Sequence, residues 1–159
     1  MCSSDLEQIV FQREVQIAAS PETVWEFLVD PEKLARWKGR LAETFDAAPG
    51  GAYRIEVVPG HVASGEFVEL DPPRRIVYTW GWEPDADGPN AVPPGASTIE
   101  IELVPDAGGT KLLFTHRDLP TRESADSHAV GWIHYLERLA IAAGGDDPGP
   151  DPWLAGPPA

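Results

Sequence analysis

Apolar and polar residues alternate along Arg75-Ile-Val-Tyr-Thr-Trp-Gly-Trp82, so that Tyr78, Trp80 and Trp82 recur at every second position. A period of two sends side chains to one face of a β-strand, and one strand therefore carries a wall of aromatic rings. The same period marks Tyr53, Ile55 and Val57, which alternate with Arg54 and Glu56 after Gly50-Gly51, and predicts a strand with one wet face. Ile9 to Ala18, Val62 to Leu70, Thr98 to Val104 and Lys111 to His116 bring the expected sheet to about six strands. Proline or glycine marks the connections, among them Asp71-Pro72-Pro73 and Asp106-Ala-Gly-Gly109, and the close spacing favours antiparallel neighbours. Ile99, Ile101 and Leu103, with Leu112, Phe114 and His116, form the expected inner face, leaving Glu100, Glu102 and Lys111 to solvent.

Helical periods appear in two places. Ser20-Pro21 and Asp30-Pro31 each pair a capping side chain with a proline suited to the first helical position. They predict two short helices, the first burying Val24, Trp25, Phe27 and Leu28 and the second running through Leu34 and Trp37. From Glu123 the spacing of Ala129, Trp132, Ile133, Leu136 and Ala140 predicts a long amphipathic helix stopped at Gly144-Gly145. At about 20 residues and 1.5 Å per residue it reaches about 30 Å, enough to cross a sheet. An α+β sandwich follows, an antiparallel sheet with its apolar face under one terminal helix.

Composition narrows the classes. The 159 residues suit one domain, taken as residues 1–144, followed by a Pro/Gly/Asp-rich tail over 145–159 that lacks apolar periodicity and is expected to be flexible, disordered or loosely docked. Twelve basic against 26 acidic residues give a net charge of −14, which repels nucleic acid and anionic membrane surfaces. Cys2 is the sole cysteine, so no intrachain disulfide or thiolate cluster is available. Asp5 and Glu7 interrupt any signal-peptide core, and no stretch has membrane-spanning length. A cytoplasmic protein without membrane insertion is the expectation. Val77 and Leu113 are the apolar residues on the outer strand faces, which favours a monomer or weak homodimer.

Several pieces together carry a family resemblance: Ala19-Ser-Pro-Glu-Thr-Val-Trp25, Asp30-Pro-Glu-Lys-Leu-Ala-Arg-Trp37, Pro49-Gly-Gly51, Gly65-Glu-Phe67, Asp71-Pro-Pro-Arg-Arg-Ile-Val-Tyr-Thr-Trp80, Gly109-Thr110 through Thr115-His116, and Gly131-Trp132 with Leu136 and Leu139. In order and spacing the chain resembles the START-like, helix-grip (SRPBCC) superfamily over about residues 10–143, and within it the homologues of the activator of heat-shock-protein ATPase. The resemblance implies a curved sheet gripping a long terminal helix, with a cavity between them that receives hydrophobic molecules in relatives. The superfamily includes carriers, cyclases, resistance proteins and co-chaperone domains, so the resemblance implies a fold more than a chemistry.

Trp37, Tyr53, Phe67, Tyr78, Trp80, Trp82, Phe114 and Trp132 are the expected lining of such a cavity, with His116 as a polar contact; the alternative is that these rings fill the core. Phe67 competes with Val68 and Leu70 for one face, which a bulge would resolve. The leading expectation is a binding module for a small hydrophobic or aromatic molecule, with no cofactor. An enzymatic alternative is a cyclase, dehydratase or hydrolase using His116 or Glu66 as acid or base; a protein-interaction domain is a third. Glu66 and Glu69 are expected on opposite strand faces, at solvent or paired with Arg54 or Arg75. His128 and His134, six apart and about 600° of helical rotation from one another, do not share a face, which disfavours a metal site on that helix. The Glu83 to Ala96 connection is long enough for a lid or for an acidic surface excursion.

Overall fold

A computed structural model describes residues 10–38, 44–58, 61–83, 95–119 and 121–149. The expected lid segment 84–94, the tail beyond residue 149 and the chain before residue 10 lie outside the described residues.

Both Ser-Pro and Asp-Pro signals open helices. Strand β1 (Phe11–Ile17) leads to α1 (Pro21–Val29), where the Ser20 hydroxyl accepts from the Thr23 amide. Helix α2 (Pro31–Leu34) follows at once, capped by the Asp30 carboxylate on the Glu32 amide at 3.0 Å. It stops at Leu34, so Trp37 lies in the turn beyond it, fixed there by its indole N–H donating to the Phe27 carbonyl at 2.9 Å.

The remaining strands are β2 (Thr44–Phe45), β3 (Ala52–Val58), β4 (His61–Asp71), β5 (Arg75–Trp82), β6 (Ser97–Asp106) and β7 (Gly109–Arg117). They form one antiparallel sheet of seven strands in the order β1-β7-β6-β5-β4-β3-β2. The sequence anticipates six; β2 is the addition, and two residues are too few to show a period. Between β6 and β7 the two loop residues Ala107 and Gly108 both have positive φ, 54° and 84°, the mirror-image turn whose twist suits a tight hairpin.

Inner-face expectations hold across β6 and β7: Ile99, Ile101, Leu103, Leu112, Phe114 and His116 are all buried. Strand β4 contains the bulge, a register shift between Phe67 and Glu69 against β5. One extra residue puts Phe67 in the core and leaves Leu70 packed against it, while Val68 is 56% exposed. The same inserted residue turns both Glu66 and Glu69 outward, where the unbroken alternation places them on opposite faces. Glu69 joins Glu100 and Glu102 around Arg75 on the outer face, and Arg54 pairs with Glu83.

Helix α3 (Arg122–Ala143) begins at a Thr121 cap. It ends in a Schellman arrangement, with Gly145 N–H on the Ala142 carbonyl, Asp146 N–H on the Ile141 carbonyl, and Gly145 at φ 103°. Its buried seam is Ala125, Trp132, Tyr135, Leu136, Arg138, Leu139, Ala142 and Ala143. Ala129, Ile133 and Ala140 are only half-buried, so the face is rotated from the expected one toward Tyr135 and Leu139. No described helix is long and apolar enough to cross a membrane.

Candidate functional site

The nine expected site residues divide into two neighbourhoods. Trp80, Trp82, Phe114, His116 and Trp132 form a packed ring cluster beneath α3. Trp132 lies 4.7 Å from Phe114 and 5.0 Å from Trp80 between ring centres, and Trp82 lies 5.4 Å from Trp80. These tilted and edge-on contacts are the arrangements aromatic quadrupoles favour, and they pack Trp132 of α3 directly against Trp80 of β5. Trp37, Tyr53, Phe67 and Tyr78 instead line a void of about 20 Å³, walled also by Leu28, Leu34, Lys38, Phe45 and Ile55. The void therefore sits under α1 and α2, displaced from the position between helix α3 and the sheet that the resemblance implies.

His116 is fully buried. Its Nε2 lies 2.8 Å from the Ser97 hydroxyl, which donates onward to the Trp80 carbonyl at 2.7 Å. The Trp132 indole N–H donates to His116 Nδ1 at 3.1 Å. One proton pattern satisfies all three bonds: His116 protonated on Nε2, donating to Ser97, and accepting at Nδ1. In this pattern the histidine gives a proton to the serine rather than taking one, the reverse of what nucleophile activation requires. Burial, then the neighbouring His128 and the Lys38 charge, push the His116 pKa down to about 3, so it is neutral over the physiological range.

His128 completes a second closed chain. The Trp82 indole N–H donates to its Nε2 at 3.0 Å, and its Nδ1 lies 2.8 Å from the Ser124 carbonyl. Burial lowers its pKa, partly offset by the Ser124 bond. The rings of His116 and His128 are 4.9 Å apart, yet all four of their nitrogens are engaged, leaving no lone pair for a cation. Among the described residues no group of three or more His, Cys, Asp or Glu side chains is placed to hold a metal. Glu66 is exposed on the outer face, away from the rings, so neither residue of the enzymatic alternative stands in the interior as a free acid or base.

Two buried cations escape the sequence patterns. Arg138, on α3, spends its guanidinium on four backbone carbonyls, those of Arg36, Trp37, Pro148 and Gly149, at 2.9–3.3 Å. It thereby holds the turn after α2 against α3. Lys38, in that turn, is 2% exposed. Its ammonium sits over the rings of Trp37, Tyr78, Trp80 and Trp132 at 5.2, 5.9, 5.0 and 5.0 Å from their centres. Burial pulls its pKa down to about 7. Of the phenols beside the void, Tyr53 donates to the Thr79 carbonyl at 2.6 Å, and burial raises the pKa of both Tyr53 and Tyr78.

An open antiparallel sheet with a long C-terminal helix on its apolar face and two short helices after the first strand defines the helix-grip class of α+β domain. Within that class the chain belongs to the Activator of Hsp90 ATPase homolog 1-like protein family, whose pattern it matches over residues 18–144. It is similar to the human activator of 90 kDa heat shock protein ATPase homolog 1, 31% identical over 69% of this chain and 32% of that protein. An uncharacterized protein of Mycobacterium tuberculosis is 27% identical over 67% of this chain and 63% of its own length. The chain thus spans about a third of the human relative and less than two thirds of the mycobacterial one. The solution structure of an AHSA1-like protein from Rhizobium etli superposes with a TM-score of 0.71 at 44% identity, covering 92% of this chain and 88% of that one.

Proposed function

We propose that this protein binds a small aromatic or otherwise apolar molecule against the inner face of its sheet, on the side covered by α1 and α2. The observation that carries the reading is an unmet donor in an apolar interior. The indole N–H of Trp80 is buried with no acceptor among the described residues, in a ring cluster continuous with the walls of the void through Tyr53. Buried polar groups are nearly always paired, and a ligand oxygen is one partner that such a donor admits.

The spare volume sets a condition on the proposal. About 20 Å³ holds a water-sized group, whereas pockets for organic ligands run to about 300 Å³ or more. A ring-sized guest therefore has to displace a lining side chain. Phe45 is a wall that can move: it is half-buried, on a two-residue strand that pairs with Arg54 and Tyr53 of β3 and is followed by one more bond, from Asp46 N–H to the Ala52 carbonyl. Titration of tryptophan fluorescence with a panel of small hydrophobic and aromatic compounds tests this, because Trp37 lines the void and Trp80 stacks on Tyr53, which lines it too. A saturable response from at least one compound is expected. No saturable response across the panel overturns the reading.

A further inference from the structure

Among the described residues no aspartate or glutamate is buried, although the chain carries 26 of them. Lys38 is nonetheless buried and borders the void, and among the described residues its ammonium lies over four aromatic rings with no carboxylate paired to it. An ammonium out of water is costly unless it is paired. Ring faces return only part of that cost. The other buried cation, Arg138, is fully met by carbonyl oxygens, so the interior treats its two positive charges differently. One is tied to the backbone; the other, at the border of the void, has ring faces and no oxygen partner among the described residues.

We propose that the ligand is a monoanion, an apolar or aromatic molecule whose carboxylate takes the Lys38 ammonium as its counter-ion; this rests on the reading that the interior admits a small apolar guest. The surroundings select the class. Leu28, Leu34 and Ile55 with the rings of Phe45 and Phe67 suit a hydrocarbon or arene body. A single ammonium matches one negative charge, and among the described residues no other cation lines the void to share a phosphate. The Trp80 N–H supplies a further unmet donor in the same interior. Long-range attraction does not assist, because the net charge of −14 repels anions. Selection is therefore local and acts after the guest has entered, where the low-dielectric interior strengthens the contact.

The test uses matched pairs that differ only in charge: benzoate with benzamide, 1-naphthoate with 1-naphthamide, and indole-3-acetate with indole-3-acetamide. Binding is measured by calorimetry and tryptophan fluorescence on the whole chain, on Lys38→Met, and on Lys111→Met as a control that removes one charge from β7. In the wild type and in Lys111→Met at least one acid is expected to bind about tenfold or more tightly than its amide. In Lys38→Met that preference is expected to vanish while the amide binds as before. Thermal denaturation of each variant distinguishes lost binding from lost folding, and Lys38→Gln provides a second neutral side chain should the methionine variant fail to fold. Equal binding of acid and amide by the wild type overturns the anion proposal and leaves the apolar-guest reading standing. An acid preference that survives at Lys38→Met also overturns it, since the anion then lies elsewhere. Binding of neither partner of any pair overturns both.

Discussion

Replacing Lys38 by methionine is expected to stabilise the protein, an unusual result for a fully buried position. Burial draws the amine pKa from 10.5 to about 7, so at pH 7 the folded chain holds this proton about half the time while the unfolded chain holds it fully. At ~1.36 kcal/mol per unit, the difference corresponds to about 4 kcal/mol of lost folding stability at pH 7. The four ring faces at 5.0–5.9 Å offset about 2 kcal/mol of this by cation–π attraction. Methionine keeps an unbranched stem in the same space and removes the charge. The net gain expected is about 2 kcal/mol, or about 4–8 °C in Tm for a chain of this size.

The pH dependence gives a sharper test. Stability rises with pH wherever the unfolded state binds more protons, so the wild type should gain stability from pH 7 to about 9.5 through Lys38, and the variant should not. Of the other titratable groups around the amine, His116 on β7 is already neutral in this range, and the Tyr53 and Tyr78 phenols, raised by burial, oppose the gain only once unfolded tyrosine begins to ionise. Urea denaturation at several pH values measures both effects. A variant less stable than the wild type at pH 7, or parallel pH profiles for the two, would refute the account of Lys38 as a buried charge with no counter-ion among the described residues.

Acid is expected to destabilise the fold through His116. Its folded pKa of about 3 lies below the ordinary 6.5, so stability is intact above pH 6.5 and declines as the unfolded state takes up the proton on descent toward pH 3. The His116 share at pH 5 is about 2 kcal/mol, and His116→Gln should flatten that part of a denaturation profile relative to the wild type. Arg138→Met strands carbonyls at the α2 turn and after α3, and should cost about 2–4 kcal/mol in urea unfolding; a loss under 1 kcal/mol would show that water replaces the guanidinium.

Alternation alone carried most of the sheet, because one face of each strand is packed and the other wet. The Val68 bulge was legible too, since Phe67, Val68 and Leu70 cannot share one face of an unbroken strand. What escaped the pattern has a common cause. A lysine after a short helix reads as surface, and only the turn fixed by Trp37 and Arg138 puts Lys38 inside. Ser97 and His128 bond partners 19 and 46 residues away in sequence, a relation set by strand order and by the phase of α3. That phase itself was misjudged by the apolar count, because Tyr135 and Arg138 bury long side chains with polar tips that a hydrophobic stripe does not credit.

The guanidinium of Arg138 ties two stretches more than 100 residues apart, the turn at Arg36-Trp37 and the chain at Pro148-Gly149, to one point on α3. Those stretches share one side chain as their anchor. A proteolytic nick after the last helical turn would remove two of the four acceptors that hold Arg138 beside the turn of Lys38, so the affinity proposed for an acid would report on the intactness of the opposite end of the polypeptide.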